Sequence, residues 1–258
     1  RVYQLKGYEI PEAGRQARGT AIINLIQVES GERVNAVIPI KEFKEECNLL
    51  MGTKNGVVKK TALNEFASIR KGGLIAINLD ENDELIDVSL TDGKQEVVMV
   101  TRLGQAIRFP ETDVRLMGRT ARGVRGITLD EGDQVVGMEI VRESADLLVI
   151  SEQGFGKRTA LSEYRVQSRG GKGIKTMKLR ERNGVIVGAK VVSENDELMV
   201  ITAEGLILRT SVQDISKTGR DTQGVRIIRL EENDRVVTLA RVVATDDKDE
   251  EDGSETDE

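Results

Sequence analysis

Lysine and arginine recur at two kinds of place along this chain of 258 residues. One kind ends a short apolar run, and the other lies in the glycine-rich loop that follows. Cations repeated on one scaffold are suited to a phosphate backbone that passes every repeat, and glycines beside them would let backbone N–H groups approach phosphates. The first set is Lys59, Lys60, Arg108, Lys157, Arg158 and Arg209; the second is Arg15, Arg18, Arg70, Lys71, Arg119, Arg122, Arg125, Gln167, Arg169, Gly170, Gly171, Lys172, Gly173, Lys175, Arg220 and Arg226.

No arrangement of residues for catalysis accompanies these cations. The sequence has no histidine, which excludes a Ser-His-Asp triad and histidine metal ligands. It also lacks a P-loop and a G-x-G-x-x-G motif in a strand-to-helix setting. We interpret Cys47 as an inert thiol and Tyr3, Tyr8 and Tyr164 as packing residues. The chain alone is therefore predicted not to be an enzyme and to hold no cofactor or metal.

The net charge of −6 is unevenly distributed. Residues 246–258 contain nine acidic residues and one lysine, a net of −8, which leaves about +2 for residues 1–245. We expect residues 246–258 to form a disordered acidic tail. Two roles for it stay open: a solvated end, or an intramolecular mimic of nucleic acid that competes for the basic surface.

A repeat of about 50 residues positions the cations. Each unit reads as a strand, a glycine turn, a strand ending in a basic residue, a long basic loop, a strand, an acidic turn and a strand. Four short strands in about 50 residues are typical of a propeller blade. The turn glycines, Gly56, Gly104, Gly154 and Gly205, lie 48, 50 and 51 residues apart.

These features predict an all-β, propeller-like domain over residues 1–245 with five visible units, the first one truncated. Aromatic residues make up only 3% of the chain, so the core must consist of valine, isoleucine, leucine and alanine. Short helical turns are expected at residues 62–66 and 161–164. The alternative architecture is a tandem of separate small barrels. The predicted units are residues 1–46, 47–95, 96–145, 146–196 and 197–245.

Several loops resemble one known family. Residues 167–173 (QSRGGKG) match six of seven positions of the Q-R-R-G-G-K-G box in the C-terminal DNA-wrapping domain of the A subunit of bacterial DNA gyrase. Residues 1–11, 119–127 and 219–226 also resemble segments of that family, so the resemblance covers residues 1 to about 243. In the family the box belongs to the first of six blades, whereas here it lies in the fourth of five units. We therefore interpret residues 167–173 as a degenerate sister of the box.

The resemblance implies a β-pinwheel, in which neighbouring blades exchange strands. It implies non-sequence-specific binding, bending and wrapping of duplex DNA, in support of negative supercoiling by DNA gyrase, an ATP-dependent type II topoisomerase and thus an isomerase. ATP and Mg²⁺ would act elsewhere in the complex. The implied partners are double-stranded DNA, the rest of the gyrase A protein, and the gyrase B protein in an A2B2 complex, in the bacterial cytoplasm at the nucleoid and not at a membrane. The alternatives are the corresponding C-terminal domain of topoisomerase IV and a propeller that serves as a protein-interaction scaffold.

Overall fold

The computed structural model of the chain describes residues 1–14, 16–29 and 31–242. The predicted acidic tail and Arg15 lie outside the described residues. The strands are β1 (Asn48–Thr53), β2 (Val57–Ala62), β3 (Leu85–Thr91), β4 (Glu96–Thr101), β5 (Gln105–Pro110), β6 (Val124–Arg125), β7 (Val135–Ile140), β8 (Asp146–Ser151), β9 (Phe155–Ala160), β10 (Ile174–Lys175), β11 (Ile186–Val192), β12 (Glu197–Thr202), β13 (Ile207–Ser211), β14 (Val225–Arg226) and β15 (Val236–Val242).

Short 3-10 helices are the other regular elements of the described chain. The turns predicted at residues 62–66 and 161–164 are confirmed as 3-10 helices, and equivalent helices follow β5 and β13. The six helices are Gly7–Glu9, Ile22–Asn24, Leu63–Phe66, Glu111–Asp113, Leu161–Glu163 and Val212–Asp214.

The strands form four antiparallel sheets, and each of the first three borrows one strand from the following unit. The sheet orders are β3-β1-β2-β6, β10-β5-β4-β7, β11-β8-β9-β14 and β13-β12-β15. The two-residue strands β6, β10 and β14 each pair with the second strand of the preceding unit. The predicted all-β pinwheel with exchanged strands is therefore confirmed.

The first unit contributes one bridge to this pattern. We expected residues 1–5 to act as a second strand, and Val2 bridges Leu74 from the loop of the second unit. The pairing is the one that the pinwheel requires, although it extends over one residue only. Ile38, Ile40 and Phe43 complete the contact by packing against the first sheet.

Neighbouring sheets share apolar cores, which explains the nearly continuous apolar runs of the inner strands. Residues of β8 alternate between faces: Leu147 and Val149 pack against the second sheet, and Leu148 and Ile150 pack against the fourth. A strand buried on both faces needs a neighbour on each side, so the units stack and do not form separate barrels.

The two edges of each sheet have different surroundings. Strands β3, β7, β11 and β15 contact one another in succession and form the inner edge. The short exchanged strands lie at the opposite edge of each sheet. We call the outer edge, formed by β6, β10, β14 and the loops that precede them (residues 118–123, 168–173 and 219–224), the rim.

Candidate nucleic-acid interface

A glycine in each loop seats the rim on the preceding unit. Gly173 has φ +76°, and a Cβ there would lie 2.5 Å from the carbonyl oxygen of Ala106 on β5. Gly123 and Gly224 make the same close approach to the second strand before them. Only glycine combines a positive φ with so close a backbone contact, so these residues fix where the following cation lies.

The structure places three of the predicted cations in a row at equivalent rim positions. Arg125, Lys175 and Arg226 are the second residues of β6, β10 and β14, and all three are exposed. Each belongs to a different sheet, so a polyanion following the rim would pass them in order.

A second set of arginines lies four residues before each loop glycine and is half-buried. The Arg169 Nε donates to the Asp113 carbonyl at 2.9 Å, and its Nη1 donates to the Arg125 carbonyl at 2.9 Å. Arg119 lies 3.6 Å from Glu65, and Arg220 donates to the Lys175 carbonyl at 3.2 Å. These arginines tie each loop to the unit before it.

A third set of cations, immediately before the loop glycine, is exposed but paired. Arg122 lies 2.6 Å from Asp80, and Lys172 lies 2.6 Å from Asp130. The side chains of the two cations are 74% and 71% exposed. Ion pairs this exposed contribute little to stability, so a phosphate can compete for the cation. Arg70 and Lys71, in the loop of the second unit, are also exposed.

Part of the backbone of residues 167–173 is engaged within the protein. Gly170 donates its N–H to the Gly126 carbonyl at 2.6 Å, and its own carbonyl accepts from Thr128 Oγ1. The N–H of Gln167 donates to the Arg108 carbonyl. The expectation that these loop N–H groups face phosphates is therefore not met for Gln167 and Gly170, because neighbouring units hold them. The Gly171 carbonyl accepts from the Thr128 N–H.

Two predicted DNA contacts, Lys59 and Lys157, lie inside the protein. Both are fully buried, and burial lowers the pKa of each ammonium group to about 8. Lys157 donates to the carbonyls of Gly219 and Arg220 at 2.6 Å, and Lys59 donates to that of Arg119. A buried ammonium group whose hydrogens are given to carbonyls cannot meet a phosphate. The prediction that these two lysines contact DNA is therefore wrong. They support the loop from inside the protein.

The other basic residues at the ends of the second strands clamp one unit to the next. Arg158 is 8% exposed, lies 3.3 Å from Asp146, and donates to the Ile215 carbonyl at 2.8 Å. Arg108 pairs with Glu96 and donates to the Leu161 carbonyl. Lys60 donates in the same way to the Glu111 carbonyl. The prediction that these side chains form a DNA-facing belt is wrong, because each of them donates to a carbonyl of the next unit.

Arg209 differs from its counterparts because no further unit follows it in the described chain. It is exposed and pairs with Glu197. A signal for these pairs was present in the sequence: Glu96, Asp146 and Glu197 each lie 12 residues before the arginine that they contact.

Several exposed arginines lie outside the predicted set, among them Arg115, Arg165, Arg180 and Arg182. Arg115 and Arg165 follow the 3-10 helices of the third and fourth units, 50 residues apart, so the repeat itself could have revealed them. Arg180 and Arg182 belong to a turn that is acidic in the other units. The guanidinium groups of Arg182 and Arg226 lie 5.4 Å and 5.2 Å from the centre of the Phe155 ring.

Two other kinds of site are not found in the described part of the chain. It contains no cluster of acidic and cysteine side chains suited to a metal ion. None of its helices is long and apolar enough to cross a membrane. Tyr164 is buried and its hydroxyl pairs with Thr176 Oγ1, so its predicted role in packing is confirmed. The same prediction is wrong for Tyr8, because that side chain is 85% exposed and has no core to pack in.

Comparison with known proteins gives a consistent result over the whole described chain. A family model described as the DNA gyrase C-terminal domain, a beta-propeller, matches residues 1–41, 48–92, 95–142, 145–193 and 196–242. The chain is 64% identical over 254 residues to the A subunit of DNA gyrase from Halalkalibacterium halodurans, covering 98% of the chain and 30% of that relative. It is 47% identical to the equivalent protein of Salmonella typhimurium, covering 97% and 28%. The chain thus spans less than a third of these relatives.

Two solved structures share the architecture. The C-terminal domain of DNA topoisomerase IV superimposes with a TM-score of 0.85 and 31% identity, covering 92% of this chain and 74% of that one. A DNA gyrase A C-terminal domain superimposes with a TM-score of 0.81 and 29% identity, covering 93% and 78%.

Proposed function

The chain belongs to the family of DNA gyrase C-terminal domains, and we propose that its rim binds duplex DNA without sequence specificity and bends it. The observation that carries this proposal is the row of exposed cations, Arg125, Lys175 and Arg226, on successive exchanged strands. Exposed cations on consecutive units can each take a phosphate of the same curved backbone.

The chemistry of the rim favours the duplex backbone over bases. The described rim has no long helix that would enter a major groove, and its loops contain no aromatic side chain for stacking single-stranded bases. Bending 20–30 base pairs by 40–90° costs roughly 1–6 kcal/mol. Phosphate contacts distributed over several units would offset that cost, so binding is expected to depend steeply on salt.

In the longer protein, this rim would present bent DNA to a cleavage centre located elsewhere. The names of the relatives support a role in negative supercoiling by a type II topoisomerase, together with the rest of the gyrase A protein and the gyrase B protein in an A2B2 complex. In this role the chain itself catalyses nothing, and ATP and Mg²⁺ act on other parts of the complex. Its place would be the bacterial cytoplasm, at the nucleoid.

A role in topoisomerase IV is the second candidate, and the superposition with that enzyme's domain favours it. The gyrase role implies that bound DNA is wrapped. Wrapping constrains supercoils, so a nicked plasmid that is ligated in the presence of the chain should differ in linking number from one that is ligated without it. An unchanged linking number together with bending would favour the topoisomerase IV role, and the 64% identity to a gyrase protein leads us to expect a change.

The primary test is a salt titration of duplex binding and bending, read by fluorescence transfer between the ends of the duplex. The variant Arg125→Gln/Lys175→Gln/Arg226→Gln should lower the magnitude of the slope of log K against log salt by about 3. Lys41→Gln/Lys44→Gln/Lys94→Gln is the matched control, because it removes the same charge from exposed positions off the rim.

Three outcomes of this titration would be informative. Equal slopes for the rim variant and the control would contradict the rim assignment. Binding that is insensitive to salt, or no binding of DNA, would favour the protein-interaction scaffold. The same titration without residues 246–258 decides between the two roles of the tail: a gain in affinity indicates competition for the rim, and no change indicates a solvated end.

A further inference from the structure

The junction between the fourth and fifth units carries two arginines stacked on one aromatic ring. Arg226 of β14 lies directly opposite Phe155 of β9, 5.2 Å from the ring centre. Arg182 approaches the same ring to 5.4 Å from the turn of the fourth unit. Stacking holds a guanidinium plane in place and leaves its N–H edge free to donate two parallel hydrogen bonds.

The other rim cations have no such ring beneath them. Arg125 lies opposite Val57 on β2, and Lys175 lies opposite Gln105 on β5. The pinwheel repeats the cation at each junction, but it supplies an aromatic partner at this junction alone among the three described.

The turn that carries Arg182 is also specific to the fourth unit. The equivalent residues in the second and third units are Asn82 and Gly132, which have φ of 63° and 75°. In the fourth unit the turn is one residue longer, and Gly184 takes the positive φ of 65°. The longer turn frees this position for an ordinary side chain, and Arg182 uses it to reach Phe155.

The sign of a neighbouring charge is reversed at the same junction. Asp80 and Asp130 pair with Arg122 and Lys172 at the first two junctions. The equivalent position is Arg180 in the fourth unit. Among the described residues, no carboxylate lies within ion-pair distance of the following three arginines: Arg180, Arg182 and Arg226.

A cavity of about 540 Å³ beside the ring also contains carboxylates, and their positions indicate where an anion would bind. Glu152 accepts the Val185 N–H, and Asp234 accepts the N–H groups of Glu204 and Arg235, so both are engaged with the backbone. The remaining acidic residues of the lining, 231 and 232, are exposed on the turn of the fifth unit. A phosphate is therefore expected at the arginine side of the cavity.

We propose that Arg182 and Arg226 form a phosphate-binding site for the duplex backbone and that this site, with the charge of Arg180 two residues before Arg182, is the strongest single anchor on the rim. The inference rests on the proposed function and adds to it a defined place of attachment. DNA would be held most tightly at the junction of the fourth and fifth units, where two arginines are stacked on Phe155 and have no carboxylate partner among the described residues. Its grip would be weaker at the junctions where a phosphate must compete with Asp80 or Asp130 for the cation.

The test compares Arg182→Asn with Arg122→Asn in the full chain. Arg182 is exposed and does not have a positive φ, so Arg182→Asn should fold normally, which a melting curve checks. We expect Arg182→Asn to weaken binding of a 40-base-pair duplex roughly three- to tenfold at 0.1 M salt and to reduce the salt slope by about 1. Arg122→Asn removes the same charge from a cation for which a phosphate must compete with Asp80, so its effect should be smaller.

The outcomes separate this inference from the proposed function. If the unaltered chain binds duplex with a steep salt slope and Arg182→Asn leaves affinity and slope unchanged, the anchor is wrong and the proposed function stands. An equal loss in both variants would also overturn the anchor. If the unaltered chain binds no duplex, both proposals fall. A second readout is the NMR resonance of the Arg182 Nε–H group, which should shift when duplex is added; an unmoved resonance would overturn direct contact.

Discussion

Replacing Arg158 with glutamine is expected to destabilise the junction between the fourth and fifth units by about 3 kcal/mol. The guanidinium group is buried and donates to the Ile215 carbonyl at 2.8 Å. Loss of this group leaves the buried carbonyl without its hydrogen-bond donor. A hydrogen bond to a charged group contributes about 1.5–3 kcal/mol. The ion pair with Asp146 adds about 1 kcal/mol, which is less than the roughly 3–5 kcal/mol for leaving a buried charge without a partner, because Lys217 remains 2.8 Å from that carboxylate.

Urea unfolding of Arg158→Gln and Arg209→Gln provides the assay. Arg209 occupies the equivalent strand position and has an equivalent acidic partner, but it is exposed and has no following unit to hold in the described chain. Its replacement should cost less than about 1 kcal/mol. Hydrogen exchange should locate the difference: protection of β12 and β13 falls in Arg158→Gln, while that of β4 is retained, because stacked units interact mainly with their neighbours.

Equal losses of stability in the two variants would contradict the role of Arg158 in holding the next unit. So would an Arg158→Gln variant that is as stable as the unaltered chain and instead shows a smaller salt slope for DNA. That second outcome would mean that the arginine faces DNA and that the belt predicted from the sequence was right at this position.

Two further predictions concern the loop glycine and the inner edge. Gly173→Ala should lower the free energy of unfolding by about 3 kcal/mol, because its Cβ would collide with the Ala106 carbonyl at a position that has a positive φ. Gly118→Ala is the control: a Cβ there lies in open space, so its free energy of unfolding should stay within about 0.5 kcal/mol of the unaltered chain in the same thermal melts. Burial raises the pKa of Asp87, beside Lys190, to about 6. The native state therefore keeps a proton that the unfolded chain has lost, so stability falls as pH rises from about 4 to 6. Urea midpoints across that range should show the fall in the unaltered chain and a smaller one in Asp87→Asn; identical pH profiles would contradict the assignment.

The repeat could be predicted from sequence because glycines and apolar runs have direct structural consequences. A positive φ at Gly173 and alternating burial along β8 follow from local chemistry, and both recur in each unit. The exchange of strands was expected only through the family resemblance. It could not be predicted from the residues themselves, because a two-residue strand such as β6 has no periodicity of its own.

The role of each cation was harder to predict, because a recurring charge looks the same whether it faces solvent or the next unit. Arg158 and Arg125 are both basic residues that repeat every 50 positions, yet one is buried and the other is exposed. The distinction depends on which carbonyls the neighbouring unit presents. A recurring acidic partner, such as Asp146 for Arg158, is the feature that marks the buried kind.

The rim cations and the contacts between units occupy the same short segments. Arg125, Lys175 and Arg226 lie on strands whose only pairing partner in the described chain belongs to the preceding unit, and the loops before them are held from within by lysines such as Lys157. A phosphate bound at the rim therefore contacts a strand that joins two units. Because a ligand stabilises the state that it binds, DNA along the rim should strengthen the junctions it crosses, and a loosened junction should weaken the grip on DNA. The exchanged strands that join the units of the pinwheel therefore also carry the cations that would bend DNA.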